Sequence, residues 1–186
     1  MKWPSRASFC LAVLVWAVYL ALTVLAILHY QGAFSPADNW LSDLGNRQIS
    51  PRSARFYNSG VMASSCLLAL FFPALGVMRL AGSRAQRLML TLTQVLGVIA
   101  ALGMFLSAVF SIDRFALHSA MSALFRISLG TAFGLSVAAL AHHAGTRRGV
   151  LALGGLTTLL DLVVSVAFNR ARLLEWPLIA LGSYPL

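Results

Sequence analysis

The stretch FCLAVLVWAVYLALTVLAIL, residues 9–28, decides the fold class because it is apolar almost throughout. A helix needs roughly 20 such residues to cross the hydrocarbon core of a bilayer, which is about 30 Å thick. Lys2 and Arg6 precede it like the charged start of a signal peptide, but a cleaved apolar region is typically about 7–15 residues long. We therefore expect a retained transmembrane helix over Phe9–His29.

Further apolar stretches of similar length predict four more spans. They cover Tyr57–Leu80, Gln86–Ser111, Phe115–His142 and Val150–Phe168. A sixth segment, Leu174–Leu186, has about 13 residues and two prolines, too few for a straight crossing. The sequence thus predicts an all-α, polytopic transmembrane helix bundle that forms one domain over residues 1–186, with five full spans and a short sixth segment.

The composition agrees with lipid as the main solvent of the chain. Hydrophobic residues make up 59% of the 186 and charged residues 10%, against about 25% charged in a soluble domain. The net charge of +9 comes from short basic clusters between apolar runs, which is typical of loops at anionic headgroups. We expect membrane lipids as partners and no nucleic acid. Cys10 and Cys66 lie inside apolar runs and form no metal-binding motif, so no metal site is predicted and any cofactor is unknown.

The distribution of basic residues predicts the orientation, because cytoplasmic loops are enriched in lysine and arginine. One side collects Lys2, Arg6, Arg79, Arg84, Arg87, Arg147 and Arg148, whereas the short loops of the other side hold Arg114, Arg170 and Arg172. The long loop of that second side adds Arg47, Arg52 and Arg55, but charges in a long loop count for less. The N-terminus is therefore expected in the cytoplasm of a bacterial cell, with the chain in the inner membrane. The long loop 30–56 then lies outside. In it, Trp40, Leu41 and Leu44 are spaced for one face of a short interfacial helix.

Polar residues recur every four positions in the fourth and fifth spans. The fourth carries His118, Ser122 and Arg126, followed by Gly130 and Gly134, and the fifth carries Thr157, Asp161, Ser165 and Asn169. Charged groups are costly in lipid and face the bundle interior. We therefore predict an ion pair between Arg126 and Asp161. It either binds a ligand or only fixes the register of the two helices.

Further polar residues are expected to converge at the outer end of the bundle. Ser42 and Asp43 lie in the long loop, and Asp113 and His118 flank the start of the fourth span. These four are the predicted catalytic residues, since carboxylates and imidazoles transfer protons and a serine can attack or orient a substrate. Asn58 opens the second span and is predicted to bind ligand together with Arg126 and Asp161. The alternative for Asp43 and Asp113 is a purely local role as helix caps or turn residues.

The segment Asn39-Trp40-Leu41-Ser42-Asp43-Leu44-Gly45, followed by Pro51 and by Asn58-Ser59-Gly60, resembles a prokaryotic membrane family of unknown function. The resemblance implies about six spans, with Leu-Ser-Asp-Leu-Gly after the first span and Asn-x-Gly opening the second. Asp113 and His118 before the fourth span fit the same pattern. The short sixth segment departs from it. The family implies no established reaction.

Three functions fit these observations. The first is binding or processing of a lipid or its headgroup near the outer leaflet. The second is a structural or accessory subunit of a larger membrane complex, whose partner subunits would use the small residues Gly130 and Gly134. The third is a transporter, which the absence of an internal repeat disfavours. Whether the chain is an enzyme stays open at this point.

Overall fold

The structure, a computed structural model, describes residues 6–35, 39–75 and 83–141, together with residues 149, 152, 155, 156 and 159. Within these residues the chain forms four long helices, α1 (Arg6–Leu28), α2 (Pro51–Ala74), α3 (Arg84–Val109) and α4 (Phe115–Ala141). Two short 3₁₀ helices, Leu41–Gly45 and Ile112–Arg114, lie in the connections, and no strand occurs in the part described. All four long helices have the length and hydropathy to cross a membrane. The prediction of an all-helical membrane bundle is confirmed.

The bounds of α2 differ most from those predicted. This helix begins at Pro51, two turns before the predicted start at Tyr57. Proline suits the first position of a helix because it lacks an N–H and its φ is fixed near the helical value. The predicted fifth span is represented among the described residues only by 152, 155, 156 and 159, which are helical. The sixth segment lies outside the described residues, so the number of spans beyond four stays a prediction.

Small residues let neighbouring helices approach closely. A Cβ atom on Gly60 would lie 2.7 Å from Leu22 Cβ of α1. A Cβ atom on Gly103 of α3 would lie 2.8 Å from the backbone nitrogen of Phe125 in α4. Helix association in lipid depends on such close packing, because water does not drive apolar surfaces together there.

Polar side chains add hydrogen bonds to carbonyl groups of the neighbouring helix. Gln86 and Thr93 of α3 donate to the carbonyl oxygens of Ala139 and Ala132 in α4, each at 3.3 Å. Because residue numbers rise along α3 as they fall along α4, the two helices are antiparallel. Gln94 donates to the carbonyl of Pro73, one of the last carbonyls of α2, at 3.3 Å.

This packing places the site residues. α1 and α2 are also antiparallel, since Ser8 contacts Ala74 and Ser64 contacts Val15. The last turns of α1 and α3 and the first turns of α2 and α4 therefore meet at one end of the bundle. We call residues 40–50, which cap this end, the hook, and we call this end the hook end.

Candidate functional site

Asp43 organises the hook through its own backbone and side chain. Its carboxylate oxygen Oδ2 accepts a hydrogen bond from the Trp40 N–H at 2.8 Å, and its carbonyl accepts one from the Asn46 N–H at 3.0 Å. Burial raises the pKa of the Asp43 carboxyl above its ordinary value, while the Trp40 hydrogen bond opposes this. Burial and the Asp43 charge together raise the pKa of Tyr30 nearby. The capping role anticipated as the alternative for Asp43 is therefore present, and its predicted acid–base role stays a prediction.

Two buried side chains of α2 hold the hook in place. Ser53 donates to the Leu44 carbonyl at 2.9 Å, and the amide Nδ2 of Asn58 donates to the Gly45 carbonyl at 3.0 Å. Leu44 is completely buried. A Cβ atom on Gly45 would lie 2.6 Å from Asn58 Oδ1, so only glycine fits at this position. Asn58 donates one N–H of its amide to the hook, and its predicted ligand-binding role stays a prediction.

Ser50 links the hook to the end of α1 by hydrogen bonds, whereas the Ser42 hydroxyl forms none among the described residues. The Ser50 hydroxyl accepts from the Gln31 N–H at 3.1 Å and donates to the His29 carbonyl at 3.3 Å. Ser42 is half-buried in the 3₁₀ helix Leu41–Gly45. Among the hydrogen bonds of the described residues none involves its hydroxyl, so the geometry shows no base that would activate Ser42 as a nucleophile.

The connection between α3 and α4 holds Asp113 and His118. Asp113 accepts a short hydrogen bond from the hydroxyl of Ser111, which is buried. The 3₁₀ helix that contains Asp113 packs beside the 3₁₀ helix of the hook. Arg47 of the hook also donates to the Val109 carbonyl at 3.4 Å. The structure thus brings both predicted carboxylate segments to one end of the bundle, as the sequence suggested.

His118 joins the two helices and contacts a second serine. Its Nδ1 lies 2.8 Å from the Ser107 carbonyl oxygen and 3.1 Å from that of Phe110. The other ring nitrogen, Nε2, lies 3.4 Å from the Ser122 hydroxyl. Ser122 lies on the His118 face of α4, as the four-residue spacing predicted, and the catalytic role predicted for Ser42 stays a prediction.

Arg126 lies half-buried in α4, two turns beyond His118. Its predicted partner, Asp161, lies outside the described residues, and the ion pair stays a prediction. His29, at the other edge of the hook end, is exposed and stacks on Phe56 with ring centroids 4.8 Å apart. Within the described ranges, no three His, Cys, Asp or Glu side chains are grouped so that they could hold a metal ion.

A groove of about 370 Å³ opens beside the hook, along one face of α2. Its polar lining comes from Arg47, Arg55, Asn58 and Ser59, and its apolar lining from Pro51, Ala54 and Met62. Both arginines are exposed. The sequence interpretation missed this groove because it treated Arg47 and Arg55 as loop charges. Starting the helix at Pro51 would have placed the α2 residues of the groove on one face, at helical spacing.

Comparison with known proteins places the chain in a family without revealing an activity. No curated protein and no solved structure matches the chain significantly. A family profile described as "Protein of unknown function (DUF998)" matches residues 11–183, which is nearly the whole chain. Apart from the first five residues of α1, the four helices and the hook described above lie inside that match. The chain therefore belongs to the DUF998 family of proteins of unknown function.

Proposed function

We propose that this membrane protein binds the headgroup of an anionic lipid in the groove beside the hook. The observation that carries the proposal is the lining of the groove. It combines the exposed guanidinium groups of Arg47 and Arg55 with apolar side chains that include Met62. Arginine presents a planar fork of donors that matches phosphate oxygens. The apolar side chains suit the start of an acyl chain.

The charge around the groove favours the same ligand. Arg52 adds a third exposed cation within the first turns of α2, and the first turn of this helix contains no acidic residue. The positive end of the helix dipole reinforces this field. Basic groups near an anionic leaflet each contribute about 1 kcal/mol to attraction. Ser59 lines the groove as a neutral donor.

The proposal includes the orientation inferred from the sequence. The hook end faces outward from a bacterial inner membrane, the N-terminus is cytoplasmic, and five spans are followed by the short sixth segment. Arg84 and Arg87 begin α3 at the end opposite the hook, which supports a cytoplasmic position for that end. The exposed side chains of Trp40, Leu41 and Ile49 on the hook support its contact with the outer interface.

Lipid retention measured by native mass spectrometry from nanodiscs tests the binding site. The double variant Arg47→Gln/Arg55→Gln should retain anionic phosphatidylglycerol about 30-fold less well than the native protein, since two arginines at about 1 kcal/mol each amount to that factor. Arg52→Gln, on the same helix but outside the groove lining, is the matched control and should change retention only a few-fold.

Two results would reject the site. One is equal phosphatidylglycerol retention by the native protein and the double variant. The other is equal loss in Arg52→Gln, which would indicate a diffuse surface charge effect and not a groove. A stoichiometric protein partner in the same spectra, with no retained lipid, would favour the accessory-subunit alternative.

A further inference from the structure

We propose that Ser122, activated by His118, is a nucleophile that attacks carboxylic ester carbonyls of lipids near the membrane surface. The first observation is the state of the imidazole. Its Nδ1 faces the carbonyl oxygens of Ser107 and Phe110, at 2.8 and 3.1 Å. Carbonyl oxygens only accept, so Nδ1 carries the hydrogen. In the neutral ring Nε2 is then the acceptor, and the Ser122 hydroxyl donates to it at 3.4 Å.

This arrangement matches the requirements for an activated serine. A base lies within reach of the hydroxyl, and a third group orients that base. In this protein the orienting group is a pair of backbone carbonyls at the end of α3, where a carboxylate serves in other serine nucleophile sites. The four-residue spacing places both side chains on the same face of α4.

Two other hydroxyls on the same helix are bonded differently from Ser122. Thr131 donates to the Ile127 carbonyl at 2.7 Å and Ser136 to the Ala132 carbonyl at 2.9 Å. Each therefore satisfies its hydroxyl with the carbonyl four residues earlier, the usual solution inside a membrane helix. Among the described residues, Ser122 makes no such bond, and its oxygen is directed at the ring.

A second hydroxyl nearby lacks a partner. Ser119, one turn before Ser122 on α4, is 6% exposed, and its Oγ has no hydrogen-bond partner among the described residues. An unsatisfied buried hydroxyl is unusual and costly. A negatively charged oxygen that develops during attack by Ser122 would be an acceptor for it.

The depth of Ser122 suits a lipid ester. The 27 residues of α4 extend about 40 Å, about 10 Å more than the hydrocarbon core, so about 5 Å of each end lies among headgroups. Ser122 follows Phe115 by seven positions, or about 10 Å, which places it about 5 Å inside the hydrocarbon boundary. Ester linkages of lipids lie close to this boundary.

The proposed reaction uses only these groups and water. Ser122 Oγ forms a bond to the ester carbonyl carbon while its proton passes to His118 Nε2. The carbon–oxygen bond to the alcohol then breaks, and the departing oxygen takes the proton from Nε2. Water then gives a proton to Nε2 and bonds to the acyl carbon. The bond from that carbon to Ser122 Oγ breaks, Oγ takes the proton from Nε2, and the carboxylic acid leaves. This site lies on α4, apart from the groove, and does not depend on the proposed headgroup binding.

A fluorophosphonate probe tests the inference without a known substrate. Attack by Ser122 forms an oxygen–phosphorus bond and expels fluoride, and peptide mass spectrometry locates the adduct. The probe should modify Ser122 in the folded native protein. Ser136→Ala removes a hydroxyl that bonds to the Ala132 carbonyl and to Thr93 of α3 and has no recorded contact with His118, so labelling should be unchanged.

The His118 variant separates chemistry from folding. His118→Asn keeps a donor for the Ser107 carbonyl but removes the basic Nε2, so the fold should persist while the labelling rate falls by about 100-fold or more. Thermal unfolding of each variant checks the fold. Absence of an adduct on Ser122 in the folded native protein would overturn the inference, as would equal labelling rates in the native protein and a folded His118→Asn variant.

Discussion

Removing either of the two α2 side chains that bond to the hook should increase local opening of the hook without unfolding the helix bundle. Ser53→Ala deletes the hydroxyl that donates to the Leu44 carbonyl, and Asn58→Ala deletes the amide that donates to the Gly45 carbonyl. Leu44 and Gly45 are buried, so each variant leaves a carbonyl oxygen with neither its partner nor bulk water.

The size of the effect follows from that unsatisfied acceptor. Leaving a buried acceptor unpaired costs about 1–3 kcal/mol. If the whole cost falls on local opening of the hook, amide exchange there should accelerate roughly 5- to 150-fold. The two bonds hold adjacent carbonyls, so the double variant should show less than the sum of the single effects in free energy.

Hydrogen–deuterium exchange in nanodiscs measures this opening. The informative peptide covers residues 41–50, where the amides of Asp43, Asn46 and Ser50 donate within the hook. Ser65→Ala is the matched control, because this buried α2 hydroxyl donates only to Met62 of its own helix. Unchanged exchange in Asn58→Ala, or equal acceleration in Ser65→Ala, would refute the reasoning.

Three further perturbations test other parts of the structure. Because burial raises the pKa of the Asp43 carboxyl, the hook is most stable when this carboxyl is protonated. Its stability should fall as the pH rises through the folded-state pKa. Amide hydrogen exchange in the hook, measured relative to the Asp43→Asn variant at the same pH, should therefore become faster as the pH rises. Gly103→Ala should destabilise the protein by about 1–3 kcal/mol in thermal unfolding, since its Cβ would lie against the Phe125 backbone. Gly149→Ala should not destabilise it, because no atom of the described residues lies within 4 Å of the added Cβ and alanine is favoured over glycine in a helix. The topology can be tested with Gln48→Cys in a Cys10→Ala/Cys66→Ala background, because Gln48 is an exposed hook position. This cysteine should react with a membrane-impermeant maleimide in intact cells. Reaction only after lysis would mean that the orientation is the opposite of the one proposed.

The spans could be predicted because they depend on a single quantity, apolar length, that the sequence displays directly. The same reasoning failed at the start of α2. Arg52 and Arg55 lower the local hydropathy, so a helix that extends beyond the apolar region looked like loop. Capping signals, here Pro51 at the first helical position, carry this information and hydropathy does not.

The partners of individual polar groups were harder to predict because they depend on helix register. The predicted convergence of Asp43 and Asp113 at one end followed from topology alone. The contact of His118 with the end of α3 needs the exact offset of two antiparallel helices, which is fixed by close approach at Gly103. No periodicity within a single helix specifies that offset.

Most residues of the motif Leu41–Gly45 have a structural role in the hook. In Leu41–Gly45, Asp43 caps the turn, Leu44 is fully buried, and Gly45 has no room for a Cβ atom. Asn58, thirteen positions beyond Gly45, completes the same unit by binding its carbonyl. These four residues therefore each have a structural role in the hook, whereas the Ser42 hydroxyl forms no hydrogen bond within the described residues.

The two sites proposed above lie beside this motif, and the catalytic roles predicted for Ser42 and Asp43 stay predictions. Arg47 and Arg55 keep exposed guanidinium groups over a groove, and Ser122 keeps a hydroxyl directed at an imidazole. The hook places Arg47 by fixing the turn that follows Gly45. If the motif is purely a scaffold, Asp43→Asn should preserve both phosphatidylglycerol retention and fluorophosphonate labelling of Ser122. If lipid retention or labelling is lost while the amides of the hook still exchange slowly, Asp43 takes part directly in binding or catalysis.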